Sequence, residues 1–303
     1  MATRRRSSSA AYSSRALPPV VLSGYLRGLV LFFCIFILMF IIAGVCAGQL
    51  KSFFPNGSRD GILAANVAQN VIGFFGSALL TSFFLSRKPL LFLGLAGRLR
   101  WLTVFNIIIC FIIGFPFLNE LVYWNTQMHL PVWMSGVEGW MRELETTAGA
   151  QVDTLLGVRS IGALIVNILI IGVLTGFCEE IFFRGMLQRL LGSHGMNRHL
   201  AVWLAAFIFS LMHFQFFGFF PRLVLGAFFG YIFLWTGSIW ASATAHAIFN
   251  SITIVTVWLT CRGVDASTVE QMGVQRNGFP WIALVSLLLV LAYIFTQRRR
   301  GQF

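Results

Sequence analysis

The sequence predicts an all-α integral membrane protein, a bundle of about eight transmembrane helices with an active site inside the bundle. Three observations predict it. Of 303 residues 57% are hydrophobic and 11% charged, and the mean hydropathy is +0.81. A soluble domain carries roughly 25% charged residues because its surface must face water. The apolar residues gather in runs long enough to cross a bilayer, and the charges collect in the joints between them. Disorder, a secreted disulfide scaffold and an ordinary cytosolic enzyme are excluded together.

Crossing the hydrocarbon core takes about 20 mainly apolar residues. The first run, 29–47, follows an Arg-rich tail; its long lead and apolar length fit an uncleaved span better than a signal peptide. Runs 66–85 and 102–118 come next, separated by Arg87, Lys88, Pro89, Arg98 and Arg100. The fourth, 161–183, continues as an amphipathic helix through Gln188, Arg189 and Leu191. The glycines at 192 and 195 then break the chain before run 200–217. The sixth, 221–235, is the shortest, because 214–220 either continues the fifth or forms a re-entrant turn. Its Gly226 and Gly230, four apart, suit close packing on a neighbouring helix. Runs 239–259 and 279–295 complete the set, the last behind Gly278 and Pro280. Between the third and fourth runs, Trp133, Met134, Val137, Trp140, Met141 and Leu144 recur at helical spacing, with Glu138 four residues before Arg142. That pattern reads as an interfacial helix or, more sharply, a substrate lid.

The chain carries 22 Lys and Arg against 10 Asp and Glu. In a soluble protein such a surplus points to nucleic acid; here its placement argues for a lipid bilayer and against a nucleic-acid partner. With the N-terminus in the cytoplasm, fifteen of the 22 basic residues fall on the inner side, the two Arg-Arg-Arg clusters included. The expected organisation is a basic cytoplasmic tail at 1–28, one multi-pass domain at 29–296 and a basic cytoplasmic tail at 297–303. The expected location is a bacterial inner membrane. The five cysteines contain no C-x-x-C pair, and four lie in apolar runs, which speaks against a disulfide framework or a cysteine-built zinc site.

Eight of the ten acids fall in outer loops. The other two, Glu179 and Glu180, are adjacent and deep in the fourth run, where a carboxylate costs several kcal/mol unless paired, hydrated or protonated. Glu180 and Arg184 are four apart with the acid first, the better order for an ion pair. Glu179 points about 100° away and stays available. Two of the five histidines also lie at membrane depth: His213, after Phe209, and His246, which shares a helix face with Asn250. Each set alone has a structural explanation, as a salt-bridged helix end or as interhelical hydrogen bonds. Three such sets in three runs point to one shared site.

A carboxylate in an apolar setting is a competent general base near neutrality. Glu179 with His213 can deprotonate a water for attack on a peptide carbonyl, while His246 and Asn250 donate to the oxyanion. The same Glu179, His213 and His246 can instead bind one zinc ion, leaving a position open for water. The residue types leave both routes open, with a zinc ion or with no cofactor.

At these residues the chain resembles the CPBP family of intramembrane proteases, which includes the type II CAAX prenyl endopeptidases and bacteriocin-processing proteins. The family pattern, E-E-x-x-x-R, F-x-x-x-H and H-x-x-x-N on successive later helices, is matched in order by Glu179-Glu180…Arg184, Phe209…His213 and His246…Asn250. The resemblance covers 161–259, the motif core. It implies hydrolysis of a peptide bond in a membrane-associated or leader-type peptide, in a family called metalloproteases. By it, Glu179 and His213 activate water, His246 and Asn250 stabilise the oxyanion, and Glu180 and Arg184 support them. The implied partners are a peptide or protein substrate at the membrane. The basic tail and the acidic loop 119–160 fall outside the shared pattern. Two other functions use the same residues: a non-catalytic scaffold or bacteriocin immunity factor of the same fold, and a proton-coupled transporter. The intact motif set favours the enzyme over the scaffold. The transporter lacks a visible inverted repeat.

Overall fold

The computed structural model describes residues 25–193 and 196–303; the tail arginines Arg4, Arg5, Arg6 and Arg15, and His194, lie outside the described residues. Every regular element among the described residues is helical. The protein is an all-α, multi-pass integral membrane protein. In chain order the main helices are α1 (Tyr25–Ser52), α2 (Arg59–Leu85), α3 (Trp101–Thr126), α4 (Ser135–Leu156), α5 (Ile161–Gly192), α6 (Arg198–Leu211), α7 (Phe219–Thr236), α8 (Ile239–Cys261) and α9 (Trp281–Arg299).

Seven of these are long and apolar enough to cross a membrane: α1, α2, α3, α5, α7, α8 and α9. α4 is the amphipathic segment, and it runs longer than its apolar spacing foretold. α6 departs from the expected fifth span, 200–217. It has 14 residues, about 21 Å at 1.5 Å per residue, short of a core some 30 Å thick. It stops at Leu211 because the chain turns through 212–215 and a single 3-10 turn, Phe216–Gly218, before α7. The 214–220 stretch is therefore a turn as far as Gly218, and its last two residues open α7. The expected short sixth span is instead α7, at 18 residues the full-length member of the pair. It closes on Gly237, whose φ of 64° is the left-handed conformation glycine adopts without penalty.

α5 is the central element. It packs against α2, α6, α7 and α8, while α9 lies against α3 at the edge. α5 is one continuous helix of 32 residues with two π-helical stretches, Ile168–Thr175 and Ile181–Gln188. The wider turns bracket the short α-helical piece Gly176–Glu180 that carries both glutamates. Such π segments concentrate at functional sites. Two glycines set the distance from α6 to α7. A methyl group on Gly226 would meet the Phe209 ring at 3.0 Å, and one on Gly230 would meet Val202 at 2.9 Å. The backbones approach because side chains are missing there.

Candidate active site

The closeness of α7 has a second effect: it leaves the α7 carbonyls within reach of α5. Arg184 Nη2 donates to the Gly226 carbonyl at 3.0 Å, and Gln188 Nε2 donates to the Gly230 carbonyl at 3.0 Å. The donors are four apart on α5 and the acceptors four apart on α7, so the two helices are stitched in register. Arg184 is buried and lies over the rings of Phe209 at 4.7 Å, Phe183 at 5.7 Å and Phe229 at 5.6 Å. Its Nη1 stands 3.0 Å from Glu180 Oε1, an ion pair by distance though not an aligned hydrogen bond. A buried guanidinium thus finds an anion, a carbonyl and three π faces, the compensation that burying a charge demands.

Glu180 also binds α8. Its Oε1 is 3.0 Å from His246 Nδ1. The opposite ring nitrogen, Nε2, faces Glu179 Oε2 at 3.8 Å. His246 therefore stands between the two glutamates, with the ring stacked on Phe229 at 4.8 Å and 20°. Gly176 packs beside it, and a methyl group there would lie 3.4 Å from the imidazole Cγ, an ordinary contact. Glu179 and Glu180 are buried, and Glu180 Oε2 has no hydrogen-bond partner among the described residues.

The remaining two residues are placed differently. Asn250, one turn beyond His246 on α8, spends one amide hydrogen on the Ile171 carbonyl at 3.2 Å. His213 folds back on its own chain, with Nδ1 2.7 Å from the Phe209 carbonyl. No hydrogen bond joins His213 to Glu179 among the described residues. What links His213 to the glutamates is Phe209, whose ring touches both His213 at 4.8 Å and His246 at 5.8 Å. The expected Glu179–His213 base pair is thus not in direct contact, because the Phe209 carbonyl holds the imidazole.

The same geometry bears on a metal. Among the described residues no three His, Cys, Asp or Glu side chains are grouped so as to hold one. Glu179, His213 and His246 are not such a group, and both nitrogens of His246 face carboxylates. The expected three-ligand set does not fit, and no step below runs through a metal.

An apolar groove of about 900 Å³ lies between α5 and α8, walled by Val173, Phe177, Trp240, Ala247 and Val255 among others. It flanks the polar cluster without including it. Phe177 is two residues before Glu179, and Ala247 directly follows His246.

Residues 161–252 match the family described as type II CAAX prenyl endopeptidase Rce1-like. That stretch, about a third of the chain, is similar to this family. It contains Glu179, Glu180, Arg184, Phe209, His213, His246 and Asn250, and leaves α1 to α4 and α9 outside. A relative, the uncharacterized protein YpbD of Bacillus subtilis (strain 168), is 29% identical over 90 residues, which cover 28% of this chain and 43% of YpbD. The chain thus spans less than half the length of that relative. No solved structure matches.

Three side chains around the Rce1-like core escaped sequence reasoning. Phe229 stacks on His246, but with 32 phenylalanines in the chain nothing marked this one. Gln188 does carry a signal, lying four residues after Arg184 on the same face. Arg222 follows Pro221 at the start of α7, and its guanidinium reaches back over the turn that carries His213. Its Nη1 donates to Gln215 Oε1 at 2.6 Å, and its Nη2 donates to the Gln215 carbonyl.

Proposed function

We propose that the protein is an intramembrane endopeptidase that hydrolyses a peptide bond of a membrane-associated or leader-type peptide. One observation carries the reading: the buried Glu179 carboxylate faces His246 Nε2 across 3.8 Å, while Glu180 holds the other side of that imidazole at 3.0 Å. The gap is too long for a direct hydrogen bond, and a water between the two groups reaches both.

Glu179 takes a proton from that water as its oxygen bonds to the scissile carbonyl carbon. The carbonyl oxygen becomes an oxyanion. His246, with Nδ1 held by Glu180, donates Nε2–H to the oxyanion. The second amide hydrogen of Asn250 is the other donor. Collapse of the intermediate breaks the C–N bond, and Glu179 returns the proton to the leaving amine. Glu180 and Arg184 fix the imidazole, which spares the site reorganisation during the reaction. His213, with Nδ1–H given to the Phe209 carbonyl, presents Nε2 as an acceptor that orients the water. The apolar groove between α5 and α8 suits an apolar stretch of substrate. The positive-inside distribution supports cytoplasmic termini.

The test compares the peptides that accumulate in membranes containing wild-type protein or Glu179→Ala, followed by cleavage assays of the differing peptide. Glu179→Ala lowers turnover by ~100-fold or more, the range lost with a general base, and His213→Ala lowers it as well, while both variants insert normally. Unimpaired processing by both variants overturns the reading in favour of the scaffold. Identical peptide profiles do the same.

A further inference from the structure

The turn that carries His213 is strained and short. Phe214, the next residue, has φ 53°, and among the described residues no other non-glycine has a positive φ. A phenylalanine in that conformation persists only where its surroundings hold it. Four elements do so. Ser210 Oγ on α6 donates to the Phe219 carbonyl at 2.6 Å. From α3, Asn125 Nδ2 donates to the Phe216 carbonyl at 3.2 Å and its Oδ1 accepts the Phe220 N–H at 2.9 Å. From α7, Arg222 grips Gln215 twice.

The fourth element is α4, which lies outside the family-matched stretch 161–252. Glu145 Oε2 accepts the Phe217 N–H at 3.4 Å. Arg142 lies over the Phe217 ring at 4.4 Å, and the Trp140 ring meets the Phe216 ring at 5.7 Å. Trp140, Arg142 and Glu145 thus close on two consecutive aromatic residues, three and four positions after His213. Arg142 is itself braced by Glu138 at 2.7 Å.

We infer that α4 is a clamp on the 212–218 turn, and that Glu145 is a positioning residue that sets where His213 presents its free nitrogen. The catalytic half of this statement rests on the reading given under Proposed function. The mechanical half does not. Helix α4 acts at a distance: it touches the turn, and the turn carries the imidazole.

The experiment uses the full-length protein in detergent micelles or nanodiscs, as wild type, Glu145→Ala, Glu145→Gln and Trp140→Ala. Amide hydrogen exchange reads the turn. Diethyl pyrocarbonate, followed by mass spectrometry, reads how readily His213 is modified. Glu145→Ala and Trp140→Ala each raise exchange across 212–218 roughly fivefold to tenfold, the equivalent of one hydrogen bond. They also change the rate of His213 modification severalfold, and Glu145→Gln, which keeps an acceptor oxygen, restores both values. On the peptide identified above, Glu145→Ala lowers kcat ~10-fold to 100-fold with KM kept, as expected for a small misplacement of a reacting group.

Unchanged exchange at 212–218 in both alanine variants overturns the clamp. Raised exchange with His213 modification and kcat unaltered overturns the positioning role, provided Glu179→Ala is inactive. Should Glu179→Ala and His213→Ala both still cleave, the proteolytic reading fails. The clamp is then decided by exchange and modification alone.

Discussion

The two ends of the candidate site are built by different means. Glu179, Glu180, Arg184 and His246 project from the interiors of α5 and α8, and the ring and the guanidinium are held by helices that pack along their whole length. His213 stands past the last residue of a 14-residue helix, beside a left-handed phenylalanine, and is kept in place by contacts from α3, α4 and α7. The first end is rigid because helix spacing makes it so. The second is only as rigid as the parts that surround it. An order made by spacing is difficult to loosen with one substitution on the surface, whereas an order made by clamps is not.

The rigid end gives the largest expected effect. Arg184→Ala takes the guanidinium from the buried Glu180 carboxylate, leaving it His246 Nδ1, and removes the Gly226 carbonyl's side-chain donor. Removing one partner of a buried pair costs about 3–5 kcal/mol. Thermal or denaturant unfolding of the purified protein measures it, and a variant as stable as wild type breaks the contrast at its stronger side. The turn should answer a change of its own far more weakly. In Phe214→Gly, relief of a left-handed phenylalanine gains about 1–2 kcal/mol, and the added freedom of glycine in the unfolded chain takes back about 0.5–1. Phe214 is 56% exposed, so little burial is lost. The expected change is within about 1 kcal/mol, and a loss much above that shows that the Phe214 ring, rather than the clamp, holds the turn.

The same division decides what the sequence could disclose. Spacing of four on one helix is a local property, so the Glu180–Arg184 pair and the shared face of His246 and Asn250 were readable from the chain, as were the glycines at 226 and 230. The seven long apolar helices were readable from composition, since lipid imposes a length on every span. What could not be read depends on contacts between distant segments. The stop of α6 at Leu211 is one instance: the apolar run continues through Phe214, Phe216 and Phe217, and composition does not mark a turn whose polar needs are met by Asn125 and Arg222. The retreat of His213 from Glu179 is another, because a spacing pattern cannot tell whether an imidazole reaches across to a partner or back to its own Phe209 carbonyl. The π-helical stretches of α5 are a third; they add no residue type to the sequence, only a wider turn.

The smallest effect concerns the far side of the clamp, and pH reaches it. Glu138 accepts from Arg142 Nη2 at 2.7 Å, from the Leu130 N–H at 2.9 Å, and lies 3.0 Å from His129 Nδ1. These bonds, that of Arg142 foremost, then His129 and the Leu130 amide, lower its pKa from 4.5 to about 2. A carboxylate whose folded pKa lies below its unfolded value contributes stability above the unfolded value and loses it as the pH falls through the folded one. The brace on Arg142 is therefore complete above pH 4.5 and weakens between there and about 2. Because the pair lies at the surface, salt screens it and its contribution stays small. Amide exchange of the 130–142 backbone, corrected for the intrinsic pH dependence, should rise in wild type across that window and show no such step in Glu138→Gln. A step of equal size in both proteins assigns the acid sensitivity elsewhere and leaves the clamp without its pH-dependent brace, while exchange at 179–188 serves as the unchanging reference within the same molecule.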